Sequence, residues 1–450
     1  MVIRYVRALL CIVSLLCFTF NGVVEGSAAV INGQALAEYW ISKLAAPGEQ
    51  IMSGKQIEKY NKSIQRKIPT VVVDLHKYPD QLAKKTLTTL LGEAIAPEGE
   101  YFVDGVPVTA SYYGQLRARM NVNGVKEHNP VAYGITVVRS NLRTFPTKIG
   151  IFETKDDKEF DIFQETAVNP AEPVLILHRS MQGEWCYVQT SNYRGWMPTE
   201  DLAIAASRKD WLQYMDEAHY LVITGSSLKV KDSPVASEPL VFEMGAKIPL
   251  AEARGNDQIQ DGYVVKLPAR GKQGQLYFKK VLIESNADVR VGYLPYTRAN
   301  IIQQAFKFYG RPYGWGGMHD SVDCSSLTMN VYRSFGFKLP RNADQQEVKV
   351  GKVINLNTQT PEEKTKNLQV LQPGATLHMN GHVMLYLGQE GDKFYVIHAL
   401  AAYGDQRHKN SDGTLQRIET MQVMVSDLEL TRRNGKTFKD SIIVGKMIEW

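Results

Sequence analysis

Tyr313-Gly314-Trp315-Gly316-Gly317, followed a few residues later by Asp323-Cys324-Ser325-Ser326-Leu327, is the stretch on which the reading of this chain turns. A glycine-rich, aromatic-flanked loop runs into a lone cysteine. Behind it Leu327, Val331 and Phe335 recur at helical spacing, with Met329 and Tyr332 beside them. A thiol at the start of that helix faces unpaired backbone N–H groups and the positive end of the dipole, which both favour thiolate. A helical cysteine is more often a small buried apolar residue. What separates the two readings is whether the rest of the chain supplies a base.

Downstream, His382-Val383-Met384-Leu385-Tyr386-Leu387-Gly388 and Lys393-Phe394-Tyr395-Val396-Ile397-His398-Ala399 read as two strands. Gln389-Glu390-Gly391 between them is short, polar and glycine-containing, and is expected to be a three-residue hairpin loop. Pairing Gly388 with Asp392 then sets Tyr386 against Phe394, Met384 against Val396 and His382 against His398. The two imidazoles fall on one face of adjacent strands, and a slip of one residue would separate them. Either histidine alone reads as structural. Together, in a chain with one candidate thiol, they make a site. Cys324 is the nucleophile, His382 the general base and then acid, and His398 the group that fixes the base's tautomer and orientation. Backbone N–H groups near Cys324 would hold the oxyanion. A metal held by the same three residues is the competing reading, weakened by the lack of a fourth ligand. No cofactor is expected.

Upstream of the glycine loop, Ile301, Ala305 and Phe308 mark an amphipathic helix with Thr297 as its N-cap. From Tyr133 to about residue 210 the texture is short strands with frequent turns, including Pro173-Val174-Leu175-Ile176-Leu177-His178 and Glu184-Trp185-Cys186-Tyr187-Val188, where Cys186 reads as a core residue. The texture repeats over 211–296, where Gly292-Tyr293-Leu294 echoes Gly195-Trp196-Met197. Two tandem small barrels are expected. Residues 29–132 mix helix and loop, with helical periodicity over 35–44 and 81–94 and a short buried strand at Val71-Val72-Val73.

The chain of 450 residues is long enough for about three domains. Its hydrophobic content of 44% and charged content of 22% are those of a folded protein, and its net charge of +5 argues for no nucleic-acid partner. Residues 1–28 read as an export signal. Arg4 and Arg7 precede an apolar run over 8–20, and small residues cluster over 26–28. A retained signal anchor is the alternative. A lipid anchor on Cys17 is disfavoured by the bulky Leu16 before it. After removal of that segment, with Cys11 and Cys17, two cysteines remain, too few for a disulfide framework. The expectation is an exported protein, periplasmic or secreted, with no stable membrane insertion and a monomeric state.

These motifs, with Leu339-Pro340-Arg341, Leu371-Gln372-Pro373-Gly374 and Gly381-His382-Val383, resemble the NlpC/p60 cell-wall cysteine peptidases. The layout is similar to multidomain members of that family. The resemblance implies an α+β chain: a papain-like catalytic domain over 297–450, two SH3-like barrels over 133–210 and 211–296, and an N-terminal, mainly helical stabilising domain over 29–132. It implies a Cys-His-His triad on Cys324, His382 and His398. It also implies hydrolysis of the γ-D-glutamyl–diamino acid bond of peptidoglycan stem peptides that carry a free N-terminal L-Ala. Asp323 would pair with that amine, Ser325 and Trp315 would contact substrate, with Trp315 lining the cleft, and Tyr193 would close one side of the pocket. Ser326 departs from the family's usual glycine, and Ala375 from a common aspartate. Other classes remain: a wall-binding protein with an inert core, or an amidase or acyltransferase on the same scaffold.

Overall fold

The computed structural model describes residues 33–231, 238–251, 258–259, 262–286, 288–357 and 359–450. The export-signal expectation over 1–28 lies outside them. Among the described residues no helix is long and apolar enough to cross a membrane.

The N-terminal helices are short and start on side-chain caps where the sequence offers them. α1 (Ala37–Ile41) has none, whereas α2 (Gly54–Lys67) begins with a capping box between Ser53 and Gln56. α3 (Lys84–Leu91) and α4 (Ala110–Arg119) follow. This segment divides its apolar side chains between two cores. Trp40, Ile57, Tyr60 and Ile64 pack into the C-terminal domain. Leu87, Leu91 and Leu116 join the core of the β-rich middle. The expected strand at Val71-Val72-Val73 is instead a turn. Pro69 before it and the Asp74 cap after it leave no room for a ladder, and the Val73 N–H bonds the Ser191 carbonyl.

The first β unit contains β1 (Ala132–Thr136), β2 (Ser140–Arg143), β3 (Gln164–Val168), β4 (Pro173–Arg179), β5 (Trp185–Gln189), β6 (Arg194–Pro198) and β7 (Leu202–Ile204). They form one antiparallel sheet in the order β7-β1-β4-β5-β6-β2-β3. Its strands alternate as half-buried strands should: Leu175 and Leu177 join the larger core, while Val174, Ile176 and Cys186 fill a second, smaller one. Helix α5 (Arg208–Met215) closes it with the fully buried Trp211. Among the described residues, the second β unit is divided into three small antiparallel sheets, one of them pairing Gly262–Arg270 with Leu276–Glu284. The expected echo of Gly195-Trp196-Met197 fails. Gly195 to Met197 lies inside β6, whereas Gly292 takes φ +71° just after the strand Val289–Val291, and Tyr293 turns onto Gly336 of the next domain.

The C-terminal domain packs helices on a six-stranded antiparallel sheet, an α+β arrangement. Helix α6 (Arg298–Phe306) starts on the expected Thr297 cap, whose hydroxyl accepts from the Asn300 N–H. Helix α7 (Cys324–Arg333) follows, then α8 (Pro361–Val370). The sheet strands are β8 (Lys352–Asn355), β9 (Thr376–Met379), β10 (His382–Glu390), β11 (Lys393–Lys409), β12 (Leu415–Asp427) and β13 (Val444–Met447), in the order β8-β13-β9-β10-β11-β12. Leu327 and Val331 of α7 are fully buried in one core with Leu385, Ile397 and Ala399 of the sheet.

The register of β10 and β11 differs from the expected one. Glu390 pairs with Lys393, so the loop is the two residues Gly391-Asp392. Glu390 stays in the strand because Gln34, Tyr39 and Lys43 hold its carboxylate. A bulge between Tyr386 and Gly388 then shifts the ladder by one, so that Tyr386 faces Val396 and Leu385 faces Ile397. His382 and His398 are therefore diagonal neighbours rather than directly opposed. They remain on one face, the one opposite to Leu385 and Ile397.

Candidate active site

Asp323 is the N-cap of α7. Its carboxylate accepts from the Ser326 N–H at 2.8 Å, and the Ser326 hydroxyl accepts from the Asp323 N–H at 2.9 Å. This reciprocal capping box gives a use to the serine found where a glycine was the family norm. Cys324 is thereby the first helical residue. Its N–H is one of the orphan donors of the first turn.

The thiol does not follow the expectation of a thiolate favoured by the helix end. Cys324 is buried, and burial, reinforced by the Asp323 carboxylate, pushes the thiol up to about 12. The Val383 N–H and Arg341 oppose the rise without cancelling it. His382, the first residue of β10, is pushed down to about 4, first by burial and then by Arg432. The resting pair is a neutral thiol and a neutral imidazole. Both line one cavity of about 430 Å³, together with Tyr313, Asn380, Tyr403 and Phe438.

His382 Nε2 lies 2.8 Å from His398 Nδ1, and His398 Nε2 lies 3.1 Å from the Ser426 hydroxyl on β12. The diagonal offset of the strands is bridged by the rings, whose centroids are 5.1 Å apart. Phe438 sets its ring against both imidazoles at 6.0 and 5.9 Å. A proton on His382 Nε2 donated to His398 Nδ1, and one on His398 Nε2 donated to Ser426, satisfies the chain. It leaves His382 Nδ1 with a lone pair for the cavity. Burial holds His398 neutral, its pKa well below the ordinary histidine value.

Arg341 is buried beneath α7 and forks onto Asp323 with both terminal nitrogens, at 3.1 and 2.5 Å. Its Nη1 also donates to the Ser325 hydroxyl at 2.8 Å, and its Nε to Thr166 of β3. The Gly316 N–H donates to the same carboxylate. Asp323 is therefore held below the ordinary carboxylate range, since Arg341 and the cap bonds outweigh its burial. Both Asp323 and Ser325 are fully engaged with the protein.

The glycine loop is placed otherwise than expected. Only its first residue, Tyr313, lines the cavity. Gly316 and Gly317, at φ +55° and +82°, press against β3: a Cβ on Gly316 would lie 2.7 Å from Gln164 Cγ, and one on Gly317 2.7 Å from Ala167 Cβ. Gln164 and Arg139 donate to their carbonyls. The Trp315 indole donates to the Asp161 carbonyl, and its ring packs on Phe160 rather than lining the cavity. The glycines serve the docking of two domains. Tyr193 lines a neighbouring cavity of about 350 Å³ with Glu165 and Asn342, and its hydroxyl donates to Glu165. Nothing local in the sequence marks Ser426, Phe438 or Glu165 for a role, and Arg341 stands in the Leu339-Pro340-Arg341 motif without one.

Residues 310–424 match the model of the NlpC/P60 family, and residues 151–198 that of an SH3 domain of the SH3b1 type. The gamma-D-glutamyl-L-lysine dipeptidyl-peptidase of Bacillus subtilis (strain 168) is 25% identical over 205 residues, covering 43% of this chain and 60% of that protein. The match therefore spans less than two thirds of that relative's length. Dipeptidyl-peptidase 6 of Lysinibacillus sphaericus is 24% identical over 223 residues, 48% of this chain and 74% of that one. Among solved structures, an NlpC/P60 endopeptidase from Photobacterium damselae subsp. piscicida superposes with a TM-score of 0.74 at 17% identity. It covers 92% of this chain and 96% of its own. That likeness concerns the fold alone and extends well beyond residues 310–424.

Proposed function

We propose that this chain, which carries an NlpC/P60 domain behind an SH3 domain of the SH3b1 type, is an exported cysteine endopeptidase acting on peptidoglycan stem peptides. The bond cut is that between γ-D-glutamate and the following diamino acid. The observation that carries this reading is the ordered chain Ser426–His398–His382 ending in the cavity that holds Cys324.

In this mechanism His382 Nδ1 takes the thiol proton as Cys324 Sγ bonds the γ-carbonyl carbon of D-glutamate. Because the resting pair is neutral, proton transfer accompanies attack instead of preceding it. The oxyanion meets the Cys324 N–H at the helix start. His398 accepts from His382 Nε2–H and steadies the imidazolium. The imidazolium then protonates the leaving amine as the C–N bond breaks. Water, deprotonated by His382, attacks the thioester and releases the carboxylate and the thiol.

Selection of a free N-terminal L-Ala needs a carboxylate for its ammonium. Asp323 shares its charge with Arg341. Glu165 bonds the hydroxyls of Thr144 and Tyr193 and, among the described residues, has no cation against it. The ammonium is accordingly assigned to Glu165 and Tyr193, with Asp323 and Ser325 shaping the floor between that cavity and the nucleophile.

The test is mass spectrometry of L-Ala-γ-D-Glu-diamino acid peptides, free or N-acetylated, incubated with the purified chain. One cut after D-glutamate in the free peptide, none in the acetylated one, and none by a folded Cys324→Ala variant is the expected result. Binding to sacculi without any released peptide would instead favour a wall-binding protein.

A further inference from the structure

The cavity around Cys324 has a charge asymmetry that the catalytic residues do not use. Arg417, Arg432 and Arg433 line it, and among the described residues no aspartate or glutamate does. They come from the far end of β12 and the segment after it, on a wall raised by the β11–β12 hairpin beyond the catalytic histidines. Their existing partners are weak. One Arg432 terminal nitrogen donates to the Asn380 carbonyl at 3.3 Å. Arg433 reaches the Thr414 hydroxyl at 3.5 Å. Arg417 stands 3.7 Å from Glu419, with both side chains well exposed, and its guanidinium lies over the Phe160 ring at 5.6 Å. This contrasts with Arg341, which is buried and forked onto Asp323, and with the half-buried Arg139, which donates twice to Glu243.

Three guanidiniums converging on a cavity with no lining acid form a receptor for a carboxylate, and they repel an ammonium that arrives alone. We propose that Arg432 and Arg433, assisted by Arg417, form a carboxylate-binding subsite on the leaving-group side of Cys324. It would read the second carboxylate of the diamino acid, so the enzyme prefers a diaminopimelate-type residue to lysine. This rests on the reading of the chain as a γ-D-glutamyl endopeptidase. The side follows from the assignment of the peptide's N-terminus to the barrel-facing cavity at Glu165 and Tyr193, which leaves the hairpin wall for the residue after the cut. Asn380 and Asn434, which also line the cavity, can hydrogen-bond the ammonium on the same carbon as that carboxylate. Arg432 also bears on catalysis, because its charge helps keep His382 unprotonated.

The experiment compares kcat/KM of the full chain on three C-terminally amidated peptides. They are L-Ala-γ-D-Glu joined to meso-diaminopimelate, to the same residue with its side-chain carboxylate amidated, and to L-lysine. The expected preference for the first over the other two is roughly tenfold or more. In the Arg432→Gln/Arg433→Gln variant the ratio should fall towards one. Both side chains reach solvent, so the fold is retained. A fourth peptide with D-isoglutamine in place of D-glutamate asks whether the arginines read the glutamyl α-carboxylate instead. If the variant's loss follows that group, the subsite is overturned. Equal cleavage of the diaminopimelate and lysine peptides, or a preference that survives in the variant, overturns the subsite and leaves the endopeptidase reading standing. Failure to cleave any of the four overturns both.

Discussion

Removing the Arg341 guanidinium tests the electrostatic design of the site most directly. Arg341→Met keeps most of the side-chain volume and deletes the charge beneath α7. Arg341 and Asp323 are 3% and 5% exposed, and the fork between them includes contacts of 3.1 and 2.5 Å. Breaking one side of such a pair leaves a buried carboxylate uncompensated, which costs about 3–5 kcal/mol. The cap bonds from Ser326 and Gly316 remain, so the lower half of that range is expected. The pH dependence gives a second readout. In the intact chain the Asp323 pKa is lowered, so its contribution is complete above the ordinary aspartate value and is lost only as pH falls through the lower folded one. Without Arg341, burial dominates and the pKa moves above the ordinary value. The folded variant then binds the proton more readily than the unfolded chain, and its deficit shrinks from pH 8 to pH 5. Urea unfolding at both pH values measures this. Asp323→Asn keeps a capping side chain and removes the charge. The double variant should therefore regain about 2 kcal/mol relative to Arg341→Met alone. A deficit under about 1 kcal/mol that is equal at both pH values would refute the reasoning, and so would strict additivity in the double variant.

With His382 pushed down to about 4, the base is neutral and competent above that value and is lost as pH falls through it. The acid limb of kcat/KM on a free peptide should fall near pH 4, and the enzyme itself should add no alkaline limb up to about 9, because the thiol stays protonated until far higher; the alkaline loss expected at about pH 8 belongs to the substrate's own ammonium. A half-loss near the ordinary histidine value of about 6.5 would contradict it. Gly316→Ala forces a Cβ to 2.9 Å from the Gln164 carbonyl oxygen at a φ of +55°. Overpacking and the left-handed backbone together should lower the unfolding free energy by about 2–4 kcal/mol. Gly310→Ala, at φ +75° with open space around it, should cost only about 1 kcal/mol by the same calorimetric or urea measurement. Equal losses at the two positions would show that the β3 contact is not tight.

The candidate nucleophile, its helix and the two histidines were legible because each rests on a local pattern. Leu327, Val331 and Phe335 announce the helix whatever surrounds it, and the alternation through Val383, Leu385 and Leu387 announces a strand. The Thr297 cap is equally local. The glycines were legible as a tight place but not as to what crowds them. Gly316 and Gly317 meet Gln164 and Ala167, about 150 residues earlier in the chain, and no local spacing encodes that meeting. Ser426 and Arg341 were opaque for the same reason: serines and arginines are common, and only the fold shows which ones end beside an imidazole or a carboxylate.

The sequence by itself determined which groups are the candidates for the chemistry, because a thiol at a helix start and two histidines on adjoining strands need only local periodicity to be recognised. The tertiary structure decided whether those groups meet. The two-residue turn displaces the expected pairing by three positions, which alone would set the imidazoles on opposite faces of the sheet. The bulge before Gly388, at φ +141° and against Trp40 of the N-terminal segment, takes one position back and returns them to one face. A strand alternates with a period of two, so a shift of two preserves the site where a shift of three would abolish it. That difference resides in contacts between distant segments: Glu390 held by Gln34, Tyr39 and Lys43.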